Sequence, residues 1–533
     1  MDNKYIIGGV VALIAIIAIA AFAMGGTSTQ RAPDELAMAV SNHGGEPEAG
    51  FDPLTGWATG TEPLIQSTIF KHDGNGKLVN DLATGYTVSG DGKTIDVELR
   101  DGVKFTDDTP LTAEDVAFTY NTAKETGVTN LDALDKAEAV DDTHVKFTLS
   151  DVDSSFVHRL ASVGIVPSDS YNNETYGEHP VGSGPYKLSQ WDKGQQAIFE
   201  VNENYYGKKP FYKKITNLFM EPDAAFAAAQ KGDVDIVEVP LSYANETIEG
   251  MHQVIYPSLD IRYIGLPVNN ETTNEDGVIV GNNITADPAI RQAINVGIDR
   301  QAMVEGAYNG LGNVSYIGTS NLLPWASDYK IEDGKVDEAK QILAAAGWTD
   351  TNGDGIVEKD GKTASFDIDY SSSDSTRQAV ALQFSEQVKQ FGIEAKPNGK
   401  TWDEMDTTKF NQPIVWGGGS ADPHQLYNFY DSEVAANEYS NPAAYNNSAV
   451  DALIGSAMAN PNLESSYSTW SQVEPTAAQD VPYVWIGTLD YLMFVSDSVD
   501  LSDDTHTIYP HGGDIWGNVY DWTSTNATAN ATS

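Results

Sequence analysis

TIDVELRDGVKFTDDTPLTAEDVAFTY, residues Thr94 to Tyr120, reads as strand, turn, short strand, turn and helix. Ile95, Val97 and Leu99 alternate with Asp96, Glu98 and Arg100, the period-2 pattern of a half-buried strand, and Asp101-Gly102 supplies the turn that follows. Val103 and Phe105 continue the apolar face until Asp107 to Pro110 turn the chain again. Thr112 is a natural helix N-cap with Asp115 three residues on, and Ala113, Val116, Ala117 and Tyr120 recur at helical spacing. Strands and helices alternate on both sides of this stretch without a repeat, which predicts an α/β fold.

Within it, LRDGVKFTDDTPLTAEDV resembles the signature of extracellular solute-binding protein family 5, the substrate-binding proteins of peptide, oligopeptide and nickel ABC transporters. Three further stretches carry the same resemblance. They are VGSGPYKLSQWDKGQQAIFEVNENYYGKKPFYKKI from Val181 with DAAFAAAQKGDVDI from Asp223, DPAIRQAINVGIDRQAMVEGAYNGLG from Asp287, and VDEAKQILAAAGW from Val336. Gly182 and Gly184 read as backbone devices for a sharply turning strand, since Gly182-Ser183-Gly184 does not match the Gly-x-Ser-x-Gly of a hydrolase nucleophile elbow.

The resemblance implies a two-lobed, periplasmic-binding-protein-like α/β fold of type II with an extra small domain. The first lobe would span 31–268 with the small domain at about 67–185, the second lobe 269–484, and 485–522 would return to the first. The lobes would close about two hinge segments near 268 and 484. It also implies a monomer that captures a small ligand, a peptide or a metal chelate, for an ABC permease in the membrane, without a cofactor and without chemistry on the ligand. A sugar or another solute is a third possibility.

Composition narrows the alternatives. The 533 residues exceed what one core usually holds, so more than one domain is expected. With 31 basic against 77 acidic side chains the formal charge is −46, which repels nucleic acid and anionic membrane surfaces. There is no cysteine, which excludes disulfides and a lipid-modified cysteine anchor. Ile6 to Met24 carries no charge and as a helix reaches roughly 28 Å, nearly the hydrocarbon thickness of a bilayer. Residues 1–26 therefore read as a transmembrane anchor or a signal segment. The protein would be held at the outer face of the cytoplasmic membrane, or secreted after cleavage near Ala21-Phe22-Ala23. Asn-x-Ser/Thr triplets at Asn173, Asn245, Asn270, Asn283, Asn313, Asn446, Asn526 and Asn530 suit an exported protein, although an Asn- and Thr-rich chain gathers some by chance. The tail 523–533 has no apolar residue larger than alanine and is expected to be disordered.

Ligand contacts in open α/β sheets lie at the carboxyl ends of strands. The strand within Pro33 to Val40 leads into Asn42 and His43, and these with Trp57 are pocket candidates, His43 being equally explained as a polar loop residue. Ligand identity should be written in PIVWGGGSADPHQLY, Pro413 to Tyr427. A buried strand ending at Trp416 runs into Gly417, Gly418 and Gly419, whose backbone N–H groups a ligand could approach. In peptide-binding members of the family an aspartate at the Gly419 position holds the ligand's amino terminus, and Asp422 would have to substitute for it here. In nickel-binding members a tryptophan like Trp416 packs on a metal chelate whose carboxylates meet arginines of the smaller lobe. From Val116 to Ser170 the Lys and Arg residues are Lys124, Lys136, Lys146 and Arg159, and none stands at the arginine positions. His424 is either a ligand donor or a helix-start residue. Trp402, Trp485 and Trp516 are further candidates for an aromatic lining, or for core.

Asp350, Asn352, Asp354 and Gly355 match the opening of a calcium loop, but Gly361 stands where the closing glutamate belongs, so plain turn chemistry competes with a structural cation. No nucleophile–base arrangement, zinc spacing or nucleotide motif is evident, which argues against an enzyme. A secreted hydrolase without a recognisable motif and a surface-layer-associated structural glycoprotein are the alternative readings.

Overall fold

The computed structural model describes residues 31–40, 46–58, 63–274, 277–437, 440–502, 509–512 and 515–525. The Ile6–Met24 segment, Asn42 and His43 lie outside them, and among the described residues no helix is long and apolar enough to cross a membrane.

The opening stretch folds as its pattern dictates. Thr94–Leu99 buries Ile95, Val97 and Leu99 and exposes the residues between them. It is the second strand of a four-stranded antiparallel sheet with Ala83–Val88, His144–Leu149 and Leu134–Asp141. The helix Ala113–Thr126 opens on a complete capping box between Thr112 and Asp115 and stops at Gly127, whose φ is 71°. Its Val116, Tyr120 and Ala123 join Ile95, Val97, Phe105 and Phe147 in a hydrophobic cluster separate from that of the larger sheets.

A seven-stranded mixed sheet runs Met251–Tyr256, Tyr491–Ser496, Ile236–Val239, Glu35–Ala39, Lys214–Leu218, Gln196–Val201, Tyr186–Asp192. Glu35–Ala39 lies parallel to both neighbours, and four of its five residues are buried, as a strand covered on both faces must be. The chain enters this sheet past Ile65, where a Cβ on Gly182 would lie 2.1 Å from the Ile65 carbonyl oxygen and the Gly184 N–H donates to that same oxygen. Only glycine permits this approach.

The second large sheet has six strands in the order Gly312–Val314, Tyr483–Leu489, Ile261–Gly265, Ile414–Gly418, Ser365–Ser371, Glu394–Lys400. The helix Ser375–Lys389, capped by Asp374, packs Val380, Phe384 and Val388 against it. The chain passes between the two large sheets after Tyr256 and again at Asp490, since Ile261–Gly265 and the whole of Tyr483–Leu489 pair within the six-stranded sheet. The sequence reading sets those passages near residues 268 and 484. It also begins a disordered tail at 523, but Thr523–Ser524 pairs antiparallel with Val499–Asp500 and the Tyr212 hydroxyl donates to the Thr523 carbonyl. Residues 526–533 lie outside the described part.

Candidate functional site

A cavity of about 610 Å³ opens where the two large sheets face each other around these passages. Glu221, Glu238 and Tyr491 line it from the seven-stranded side, Arg262, Asp374, Arg377 and Trp402 from the six-stranded side, and Asp260, Asp490 and His511 from the joining segments. Carboxylates and cations thus share one enclosure.

Its charged centre is buried. Asp260 is 1% exposed and accepts hydrogen bonds from Arg262, from the Tyr491 hydroxyl at 3.2 Å and from His511 at 2.8 Å. Burial alone would raise the Asp260 pKa, but Arg262 and His511 outweigh it and hold the carboxyl well below its ordinary range. Burial opposes the charge on Arg262, and Asp260 more than restores it.

Arg377 is different. It sits in the first turn of Ser375–Lys389, 5% exposed, its Nε 3.0 Å from the Asp374 carboxylate. Its guanidinium lies over Trp402 at 5.2 Å and over Trp416 at 5.6 Å, the two rings being edge-on to each other at 5.5 Å. Burial, and then repulsion from Arg262, bring its pKa down to about 10. Its Nη1 has no hydrogen-bond partner among the described residues. A buried cation short of partners at a cavity wall is poised for an anionic group.

The glycines after Trp416 make this geometry possible. A Cβ on Gly417 would stand 2.7 Å from Arg262 Nη1 and 3.2 Å from Arg377 Nη2, so the missing side chain lets both guanidiniums lie against the strand. Gly418 faces Phe429 in the same way. Gly419 has φ +139°, and a Cβ there would lie 2.0 Å from the Leu259 carbonyl oxygen, while its own carbonyl accepts from His511 N–H at 2.8 Å.

The other sequence candidates fall elsewhere. Asp422 and His424 face the four-stranded unit, with Asp422 3.7 Å from Arg159, which is held by Asp153 at 2.5 Å. Burial raises Asp422 to about 6 and lowers His424, which is followed by the helix Gln425–Tyr430, to about 3. Trp57 is buried edge-on to Phe51 at 4.8 Å. Trp485 packs on Tyr263 and Trp516 on Trp522. In the 350–358 loop the carboxylates of Asp350, Asp354 and Glu358 lie within 4.8 Å of one another, the third coming from the ninth loop position. Asp350 there accepts from the N–H groups of Gly353 and Gly355, and Glu358 from Thr351 and Asn352.

Arg262, Arg377, Asp260 and His511 were not expected. The signal for Arg262 is a charge inside the otherwise apolar run Ile261 to Val268, and for Arg377 its place in the first turn of the helix that follows the carboxyl end of the strand Ser365–Ser371.

Comparison with known proteins places this architecture. The model of the bacterial extracellular solute-binding proteins, family 5, matches residues 77–441. Protein XP55 of Streptomyces lividans is 30% identical over 502 residues, 88% of this chain and 90% of that protein. The oligopeptide-binding protein AppA of Bacillus subtilis is 30% identical over 457 residues, 80% of this chain and 81% of that one. Its structure with a nonapeptide superposes with a TM-score of 0.73 over 92% of this chain and 99% of that chain. NikZ of Campylobacter jejuni with Ni(L-His), 24% identical, superposes at 0.78 over 92% of this chain and all of that one. The fold is the mixed α/β, two-lobed architecture of these periplasmic binding proteins.

Proposed function

The chain belongs to the bacterial extracellular solute-binding proteins of family 5, the substrate-binding components of ABC importers, and we propose that it captures a small zwitterionic solute between its two large sheets. The solute is a peptide or an amino-acid chelate of a metal such as nickel. The observation that carries this reading is Arg377, a buried cation wedged between Trp402 and Trp416 with Nη1 unpartnered among the described residues, in a cavity that also presents carboxylates. A solute carboxylate would satisfy the guanidinium, its ammonium or metal would face Asp374 and Asp490, and the indole rings would pack on its body. The arginines beside Trp416 come from the six-stranded sheet and its helix, at 262 and 377, and not from the 116–170 segment.

We place one lobe on the seven-stranded sheet with the four-stranded unit appended and the other on the six-stranded sheet, hinged where the chain crosses at 257–260 and at Asp490. Ligand energy would stabilise the closed arrangement for recognition by the permease. The protein would act as a monomer, do no chemistry on its cargo, and be tethered outside the membrane by Ile6–Met24 or released by cleavage. The hydrolase and structural-glycoprotein alternatives are not favoured by its relatives. Native mass spectrometry with thermal denaturation, against di-, tri- and nonapeptides and the nickel–L-histidine complex, tests the reading. One of these should form a one-to-one complex and raise Tm, and failure of all of them removes it.

A further inference from the structure

Away from the solute cavity, the four-stranded unit meets the six-stranded side a second time. On the unit, residues 153–159 form a turn and the short helix Phe156–Arg159, whose Phe156 and Val157 belong to the unit's own hydrophobic cluster. Opposite stands the loop 420–424, which follows the strand Ile414–Gly418 and enters the helix Gln425–Tyr430. Leu426 and Phe429 of that helix pack with Ile261 and Tyr263 of the six-stranded sheet. The Ser154 N–H and hydroxyl donate to the carbonyls of Met458 and Ala457, at 3.0 and 3.1 Å, and a Cβ on Gly92 would lie 3.2 Å from Pro461 Cβ.

The charges at this contact do not balance. Asp153 and Arg159, each 4% exposed, pair at 2.5 Å, and the Ser155 hydroxyl donates to Asp153 at 2.7 Å. Across the boundary the same guanidinium lies 3.7 Å from Asp422, whose carboxyl also accepts from the His424 N–H at 2.9 Å. Two carboxyl groups thus share one buried cation, and the more weakly paired of them favours its neutral form. Burial opposes the charge on Asp153, but Arg159 outweighs it and holds that carboxyl below the ordinary range. Asp422 goes the other way, burial raising it to about 6 against the pull of Arg159. The groups around the pair are His424, Tyr427 and Tyr467 on the six-stranded side, with Glu464 beyond Tyr467, and His158 and Asp132 on the unit. Burial brings His424 down to about 3 and His158 well below its ordinary value, and puts both tyrosines up to about 12, so none of these four changes charge between pH 5 and 7. Asp132 is exposed and attracts Arg159.

We propose that this contact is a proton-dependent clasp. Bringing the two sides together seats the Asp422 carboxylate beside Arg159 and Asp153, where it takes one proton from solvent, so acidification favours the closed arrangement. With the sides apart, water replaces the unit's residues around Asp422 and the proton returns to solvent. The clasp presupposes lobes hinged at 257–260 and at Asp490, as proposed for the solute site. A carboxyl raised to about 6 when closed, against an ordinary 3.8, binds its proton more tightly closed than open. The closed-to-open ratio should therefore grow about tenfold from pH 7 to pH 5.

Because the chain has no cysteine, Val140→Cys and Leu382→Cys, both at exposed positions, place one nitroxide label on the four-stranded unit and one on the helix Ser375–Lys389. Pulsed electron paramagnetic resonance of the full chain reads the distance between them at pH 7 and pH 5, with and without the peptides and the nickel–L-histidine complex. The shorter-distance population should grow about tenfold against the longer one on acidification without solute. Asp422→Asn keeps an acceptor for the His424 N–H and cannot ionise, so its ratio should be the same at both pH values. Should that variant not fold, the 13C resonance of the Asp422 carboxyl in the wild-type protein must titrate with the midpoint of the distance change. Distances that solute shifts but pH does not, a pH response that survives in Asp422→Asn, or a carboxyl that titrates apart from the distance change overturns the clasp alone. Distances that neither pH nor any of these solutes moves overturn the hinge with it.

Discussion

Replacing Arg377 with methionine removes the guanidinium and keeps a side chain that fills the gap between Trp402 and Trp416. Burial brings the Arg377 pKa down to about 10, so roughly 3 kcal/mol stands against the charged form. Two ring contacts, each worth about 0.5–2 kcal/mol, offset much of that cost. The unliganded variant should therefore unfold within about 1 kcal/mol of wild type, since a buried charge that Asp374 only partly offsets is given up along with the contacts. Solute binding should behave otherwise. Truncating one partner of a buried charge pair costs about 2–4 kcal/mol, so affinity should fall about 30- to 1000-fold. Urea unfolding of the unliganded proteins and calorimetric titration with whichever of the nickel–histidine complex or the peptides binds wild type measure the two quantities separately. If affinity changes less than threefold in a folded variant, Arg377 does not meet the solute. If unliganded stability collapses instead, the guanidinium is structural.

Three further outcomes are expected. Gly419→Ala, whose Cβ would lie 2.0 Å from the Leu259 carbonyl at φ +139°, should lower unfolding stability by about 1–3 kcal/mol, and an unchanged urea midpoint would refute the packing described there. Thr112→Ala deletes one half of the capping box and should cost about 1 kcal/mol, seen as faster amide exchange in the first turn of Ala113–Thr126. Glu474, 3% exposed and pushed up to about 7 by burial, binds its proton more tightly folded than unfolded. Its contribution is complete below an unfolded pKa of about 4.3 and is lost as pH rises through about 7, so stability should decline across that window. Glu474→Gln should flatten the decline, and an equal slope in both proteins would assign it to other groups.

The fold was legible where several local signals coincide. In Thr94 to Tyr120 the strand alternation, the turn residues and the helix cap agree, and each is satisfied in the structure. The helices Pro288–Gly297 and Arg300–Ala307 carry the same short-range signal, an aspartate at 287 or 299 whose side chain accepts from the first turn. The cavity was less so. Trp416 and the glycines after it mark one wall, and Trp402 was noted as lining. Arg262 and Arg377 stand 115 positions apart and meet only because their strand and helix belong to one sheet layer. Asp422 and His424, near Trp416 in sequence, turn away toward Arg159, because the chain leaves the strand at Gly419 against Leu259. Gly419 alone does not encode that direction, since Leu259 and Arg159, which meet the turning chain, are distant in sequence.

The central claim is that the solute is held between the two large sheets. Hydrogen exchange read by mass spectrometry, with and without a saturating solute from the peptide and nickel–histidine panel, tests it most directly. Added protection should appear in 257–265, 371–377 and 414–418, while the strands 134–149 of the four-stranded unit stay unchanged. Protection confined to other segments, with those three unaltered in the presence of bound solute, would contradict the account.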